Sequence, residues 1–134
     1  MKENFGKDYK LCSKIQIDTV FTSGDRISQF PLQALVLPAS FIDTSPFKLL
    51  ISVPKKRIKK SVDRNYIKRL LREVIRKNKL NLETFLNENN IQLAICLIYS
   101  TSEEMNYSEL ETKINKLFNK LINHVSEQNS KKKN

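Results

Sequence analysis

The sequence predicts an α+β fold, in which helices pack against one β-sheet as an α/β sandwich. Three observations predict it: short apolar runs bounded by turn residues, longer segments with apolar residues at helical spacing, and a strand, helix, strand succession between residues 47 and 99. Such a succession makes a βαβ unit. The chain has 134 residues, 40% of them hydrophobic, with only 2 Gly and 4 Pro, which suits a single folded domain.

The first predicted element is a short helix over residues 14–23. Ser13 and Gln16 have the spacing of a capping box, and Gly24 supplies the stop. The helix gains an apolar face from residues at helical spacing. These residues are Ile17, Val20 and Phe21.

Three strands are predicted from apolar runs. Residues 32–37 and 47–53 are too short for helices and are bounded by turn residues, with Pro54 ending the second run. Residues 91–99 are apolar on both faces, which is typical of an interior strand. The last two strands and the helix between them form the predicted βαβ unit.

A central helix is predicted over residues 62–79, with Ser61 as its cap. Its apolar stripe consists of Tyr66, Ile67, Leu70, Leu71 and Val74. At about 100° per residue, the opposite face collects polar and basic side chains. They are Arg64, Asn65, Lys68, Arg69, Arg72, Arg76 and Lys79. The helix is therefore expected to be apolar toward the core and cationic outward.

A last helix is predicted to begin after Asn106, which has Glu109 at capping-box spacing. Its apolar stripe is formed by Tyr107, Leu110, Ile114, Leu117, Phe118, Leu121, Ile122 and Val125. The basic segment 130–134 is expected to be a disordered tail, so the single domain is expected to span residues 1–129.

The positive charge is confined to one part of the chain. Residues 55–79 contain twelve Lys and Arg and two acids, a net charge of +10, which equals the formal net charge of the whole chain. Such a localised field favours a polyanionic partner, nucleic acid before an anionic membrane. The sequence therefore predicts RNA binding by the segment 55–79.

No catalytic residue and no metal ligand is assigned. His124 is the only histidine and has no acid or nucleophile partner in sequence, and with 2 glycines no phosphate-cradling loop can be built. Cys12 and Cys96 lie 84 residues apart in apolar surroundings, which predicts two buried, reduced thiols. With no membrane-spanning run and no signal peptide, we expect a cytoplasmic protein without a membrane partner.

The basic segment has three other interpretations. One is a non-catalytic RNA-binding module such as a ribosomal protein. Another makes residues 61–79 a DNA recognition helix, but no second helix follows a short turn, as a helix-turn-helix requires, so no DNA partner is expected. The third is a solvated cationic face that binds nothing in particular, which the neutrality of the remaining chain disfavours.

The central motif resembles the protein subunit of bacterial ribonuclease P. That family has a Lys-Lys loop and an Arg-Asn helix start, and here residues 52–73 read SVPKKRIKKSVDRNYIKRLLRE. The segment LCSKIQIDTVFTSGD at residues 11–25 is similar to the family's first helix. The strand at 91–99 and the helix start MNYSEL also match in order and spacing, so the resemblance covers roughly residues 10–125.

The resemblance implies the element order α-β-β-β-α-β-α with a left-handed βαβ crossover, a ribosomal protein S5 domain 2-like fold. It also implies an accessory subunit of an endoribonuclease, in which the RNA subunit removes the 5′ leader of precursor tRNA with bound magnesium and the protein itself binds no cofactor. The expected partners are the catalytic RNA and precursor tRNA, with one monomer per RNA.

Site residues carry over from the family position by position. The expected RNA-binding residues are Lys55, Lys56, Lys59, Lys60, Arg64, Asn65, Lys68, Arg69, Arg72 and Arg76. The expected cleft for the single-stranded leader contains Ile17, Phe21 and Leu35. The chain departs from the family at Tyr66, where Arg is usual and which the stripe directs toward the core, and at Ile17, where the family has an aromatic residue.

Overall fold

The computed structural model describes residue 11, residues 14–41 and residues 43–132, with side chains described as far as residue 128. Four helices and four strands follow one another along the chain. They are α1 (Lys14–Ser23), β1 (Asp25–Gln29), β2 (Leu32–Pro38), β3 (Phe47–Ser52), α2 (Ser61–Asn78), α3 (Leu80–Glu88), β4 (Leu93–Tyr99) and α4 (Tyr107–Lys132). The predicted α+β sandwich is confirmed.

The strands form one mixed sheet in the order β1-β2-β4-β3. β2 pairs antiparallel with β1 and with β4, and β3 pairs parallel with β4, so that Cys96 lies opposite both Leu35 and Leu50. β4 is therefore an interior strand, as its two apolar faces predict. The observed strand covers Leu93–Tyr99, two residues shorter at its start than expected.

The sheet is covered on both faces. Alternate residues of β4, such as Leu93 and Ile95, enter the main core with the apolar stripes of α2 and α4. The intervening residues Ala94 and Cys96 enter a second, smaller cluster under α1, together with Val20. The cationic helix α2 and the short helix α1 therefore lie on opposite sides of the sheet.

The crossover from β3 through α2 and α3 to β4 is left-handed. When a strand runs upward and the side chain of an L-residue points at the viewer, the N–H and C=O of that residue point to the right. The side chain of Leu93 faces α2 and α4, and its N–H donates to the oxygen of Pro46, just before β3, at 3.0 Å. With β4 drawn running upward and viewed from the side of α2 and α4, β3 lies to the right of β4. The chain leaves β3, passes through α2 and α3 in front of the sheet, and enters β4 on the left, which is a left-handed crossover. The rare hand implied by the resemblance is confirmed.

The structure contains two elements that the sequence pattern does not predict. β1, with the sequence DRISQ, has Ile27 as its single buried side chain, so it carries too little alternation to be recognised alone; it supplies the third strand that the resemblance implies. α3 is an additional helix, which corrects the expectation that no second helix lies next to residues 61–79. α3 follows α2 after only Lys79, whose backbone is itself helical (φ −83°, ψ −10°), and it buries Leu82 and Leu86. A single linking residue is shorter than the turn of about three to four residues in a helix-turn-helix, so the DNA alternative gains no support.

The helix ends confirm one predicted cap and correct another. The N–H of Glu109 donates to Asn106 Oδ1 at 2.9 Å and the N–H of Asn106 donates to Glu109 Oε1 at 3.3 Å, which is the expected reciprocal capping at the start of α4. Ser61 is not the cap of α2. It is the first helical residue, and the extended Lys60 precedes it without a side-chain capping bond.

The predicted boundary between the domain and the tail, after residue 129, lies inside α4. The helix runs to Lys132 and so includes the first three residues of the segment expected to be a disordered tail. Residues 133 and 134, and the predicted Ser13 cap and Cys12 thiol, lie outside the described residues.

Candidate nucleic-acid interface

The basic loop before α2 is anchored by two buried side chains, one just before the loop and one within it. Val53 is 5% exposed and Ile58 is 6% exposed. The N–H groups of Arg57 and Ile58 both donate to the oxygen of Pro54, at 3.0 and 3.1 Å, which closes a tight turn. The cations between and after these anchors are exposed. They are Lys55, Lys56, Arg57, Lys59 and Lys60.

Arg64 does not belong to the outward cationic row, contrary to the helical projection. Its guanidinium turns back from the first turn of α2 and donates through Nη1 to the oxygens of Ile58 and Lys59, at 3.0 and 2.7 Å. Arg64 therefore holds the loop against the helix, and its charge lies where the loop meets α2.

The outer face of α2 presents a compact polar and cationic row. Asn65, Arg69 and Arg72 are exposed and Lys68 is half-buried. The row is directed outward because the opposite stripe is fully buried in the main core. That stripe consists of Ile67, Leu71, Val74 and Ile75.

The C-terminal cations of α2 are engaged within the protein. Arg76 donates to the carboxylate of Glu73 through Nε at 3.2 Å and Nη2 at 2.5 Å, and this hydrogen bond lowers the pKa of Glu73. Lys79, expected on the cationic face, is instead 6% exposed and paired with the buried Glu83 at 2.8 Å. The free outward charge is therefore concentrated in the first three turns of α2.

Tyr66 lies outside the core, which corrects its predicted place on the apolar stripe. Its side chain is 50% exposed, and Val62, one turn earlier, is 75% exposed. A groove of about 220 Å³ beside it is lined by Tyr66, Arg69, Leu70 and Glu73. Position 66 lies at the border between the buried stripe and the exposed face of α2. A helical projection does not determine on which side of this border the side chain lies.

The three expected leader-cleft residues occupy different depths around α1. Ile17 and Leu35 belong to the same apolar cluster, with Leu35 only 6% exposed beneath the helix. Phe21, one turn after Ile17, is 49% exposed and is the side chain of the three most available to a ligand. Leu35 is therefore part of the floor under α1.

A second cavity opens on the other flank of α1. It has a volume of about 150 Å³ and is bounded by Gln16, Thr19 and Val20 of the helix and by residues at the facing ends of β2 and β4. The sequence pattern does not reveal this cavity, because its wall combines residues of α1 with residues near β2 and β4 that lie far apart in the chain.

Within the described ranges, no group of three or more His, Cys, Asp or Glu side chains could hold a metal ion. His124 Nε2 lies 2.9 Å from Asp25 Oδ2, a partner that the sequence pattern did not reveal. No helix among the described residues is long and apolar enough to cross a membrane.

The comparisons with known proteins agree with this geometry. The family model described as Ribonuclease P matches residues 5–122. The chain is 30% identical over 119 residues to the ribonuclease P protein component of Porphyromonas gingivalis, covering 89% of this chain and 87% of that one. It is 31% identical over 118 residues to that of Pseudoalteromonas translucida, covering 88% and 77%.

Solved structures show the same fold. The ribonuclease P protein of Staphylococcus aureus superimposes with a TM-score of 0.64 at 19% identity, covering 83% of this chain and 93% of that one. The protein from Thermotoga maritima superimposes with a TM-score of 0.63 at 21% identity, covering 82% and 96%.

These findings define the protein component of an RNA-processing enzyme, with a left-handed βαβ core. The chain belongs to the ribonuclease P protein family, whose members are protein subunits of ribonuclease P and serve tRNA processing. The alternative of an unrelated module such as a ribosomal protein is not favoured.

Proposed function

We propose that the loop 55–60 and the outer face of α2 dock the catalytic RNA of ribonuclease P. The protein supplies affinity and positioning, and the RNA subunit, with its bound magnesium, removes the 5′ leader of precursor tRNA. One protein monomer serves one RNA, and the protein carries no metal or cofactor of its own.

The segregation of charge carries this proposal. Residues 55–79 hold a net charge equal to that of the whole chain, +10, and the remaining residues sum to zero. Exposed lysines on the loop and exposed arginines on one helix face suit a phosphate backbone, because Arg binds phosphate in a bidentate manner and Lys adds point charge.

The docking residues differ in role. Lys55, Lys56, Lys59 and Lys60 are proposed to contact phosphates from the loop, and Lys68, Arg69 and Arg72 from the helix. Arg64 fixes the loop through its carbonyl contacts. Arg76 contributes mainly to the local field, because its guanidinium is bonded to Glu73.

The surface of α1 around Phe21 is proposed to receive the single-stranded leader. The half-exposed ring of Phe21 offers a stacking surface, and Ile17 and Leu35 supply apolar packing beneath it. Unpaired nucleotides stack on aromatic and apolar side chains in this way.

Salt titration of RNA binding tests the docking face. Replacing Lys68, Arg69 or Arg72 by Ala should lower the log–log salt slope of assembly by roughly 0.7–0.9 for each lost phosphate contact. Lys116→Ala, which removes an exposed cation of α4, is the matched control and should leave the slope unchanged. Equal losses for Lys116 and Arg69 would show that the RNA responds to total charge and not to this face.

A further inference from the structure

The groove beside Tyr66 lies at the border of the cationic face of α2 and has no role in the docking described above. Tyr66 and Val62 are one helical turn apart, so their exposed side chains form a short apolar stripe. The groove next to this stripe, about 220 Å³ in volume, is large enough for a single planar ring.

Two charged side chains of opposite sign line the groove. Arg69 lies in its wall and belongs to the outward cationic row, whereas Glu73 supplies a carboxylate. The hydrogen bond from Arg76 lowers the pKa of Glu73, so this carboxylate is ionised at neutral pH. A phosphate is therefore attracted toward Arg69, whereas the carboxylate of Glu73 is already paired with Arg76 and Lys77 and offers the phosphate no binding partner. A bound strand would keep its phosphates over the row and turn a base toward Tyr66.

We propose that this groove holds one unpaired nucleobase of the docked RNA, stacked on the ring of Tyr66 and packed against Leu70. The inference rests on the proposed function, because it takes the RNA to lie along α2. Sequence-tolerant stacking of an unpaired base on an aromatic ring, next to an arginine that contacts the phosphate, is a recurring mode of RNA recognition.

The small apolar surface at the groove favours RNA over a lipid surface. An interfacial helix needs a broad apolar face, whereas here the exposed apolar stripe consists of Val62 and Tyr66, and the groove beside it is also lined by the charged Arg69 and Glu73.

A substitution series at position 66 tests the stacking. Tyr66→Phe and Tyr66→Trp keep a ring and should bind the catalytic RNA with near wild-type affinity. Tyr66→Ala should weaken binding by roughly 5- to 100-fold, and Tyr66→Leu should fall between. The salt slope should stay constant, since no charge changes. Phe30→Leu, at an exposed aromatic residue in the turn between β1 and β2, is the matched control and should bind like wild type.

Fluorescence separates stacking from charge. The chain has no Trp, so Tyr66→Trp introduces a single indole, which can be excited selectively at wavelengths where Tyr does not absorb. Its emission should be quenched when the catalytic RNA binds and should stay unchanged when inorganic polyphosphate, a polyanion without bases, binds the same face. Equal quenching by both polyanions would overturn the stacking site.

The outcomes distinguish this inference from the proposed function. If Tyr66→Leu and Tyr66→Ala bind like wild type while Arg69→Ala loses affinity and salt slope, the groove holds no base and the docking face stands. If neither Tyr66 nor Arg69 affects RNA binding, the docking face itself is wrong. If Tyr66→Ala leaves RNA binding intact but abolishes binding to phosphatidylglycerol vesicles, the groove is a membrane contact.

Discussion

At the residue scale, Asn65 allows geometry to be separated from charge. It is exposed on the outer face of α2 between cations and carries no charge itself. An amide can donate to a phosphate or ribose and accept from a base edge. Asn65→Ala should therefore weaken RNA assembly by about 1–3 kcal/mol, because RNA groups buried in the complex lose a partner.

The salt dependence of Asn65→Ala should remain that of wild type, in contrast to Lys68→Ala. Filter-binding measurements over a range of salt concentrations give both quantities. If Asn65→Ala assembles and supports cleavage like wild type throughout that range, the face acts only as a diffuse electrostatic surface.

The buried thiol of Cys96 should make the free energy of unfolding depend on pH. The thiol is fully buried in the cluster under α1, and burial raises its pKa to about 11, from an ordinary value near 9. Between these values the unfolded chain loses a proton that the folded chain keeps, so the free energy of unfolding should fall as the pH rises from 9 to 11.

Urea denaturation in a Cys12→Ser background measures this effect with Cys96 as the single thiol. The control is the same background with Cys96→Ala, in which the fall assigned to the thiol should disappear. A parallel decline in both proteins would assign the alkaline loss to other groups.

The side chains explain where pattern analysis succeeded and failed at the site. Asn65, Arg69 and Arg72 could be placed outward, because helical spacing directs them away from the buried stripe. The inward turn of Arg64 depends on where the loop carbonyls lie, which no helical projection contains. The groove beside Tyr66 is likewise formed by side chains of neighbouring helical turns, and a helical projection does not show the space between them.

At the element scale, the junction of α2 and α3 depends on a buried ion pair. Lys79 and Glu83 are 6% and 4% exposed, and their charged atoms lie 2.8 Å apart. Glu83→Leu leaves a buried ammonium without this partner, so it should lower the free energy of unfolding by about 3–5 kcal/mol.

Adding Lys79→Met to Glu83→Leu should recover most of that loss, because the double variant buries no charge. Denaturant titration of both variants measures the difference. If the double variant is no more stable than the single one, the junction depends on the shape of these side chains and not on their charges.

The helices and strands differ in how well the sequence predicts their bounds. α1, β2, β3, α2, β4 and the start of α4 lie within two residues of their predicted bounds, since each has a full apolar period or a cap. β1 has one buried residue, and α3 continues the helical backbone of Lys79 without a stop residue. Both therefore depend on tertiary contacts for their recognition.

At the scale of the whole molecule, the isolated protein should have no ribonuclease activity. No group of His, Cys, Asp and Glu among the described residues could hold a metal ion, and His124 is paired with Asp25 at 2.9 Å. RNA-free protein incubated with precursor tRNA and magnesium should leave it intact, and addition of the catalytic RNA should start cleavage. Processing by protein treated with nuclease and repurified would contradict the accessory role.

The two surfaces proposed to bind nucleic acid lie on opposite sides of the sheet, so docking and leader recognition should be separable. Phe21→Ala removes the half-exposed ring beside α1 and leaves α2 unchanged. Because stacking contacts accumulate over several nucleotides, this variant should lose much of the preference of the holoenzyme for precursor over mature tRNA. Its affinity for the catalytic RNA should stay at the wild-type value.

Leader length provides the complementary test, in which the substrate changes and the protein does not. Shortening the leader to one nucleotide should erase the protein-dependent preference for precursor tRNA, since one nucleotide cannot span the surface beside α1. With that short leader, Phe21→Ala and wild-type holoenzymes should bind substrate equally, whereas Arg72→Ala should still assemble poorly. If the preference survives the shortening, the leader does not bind beside α1, and the preference arises where the RNA subunit contacts the tRNA.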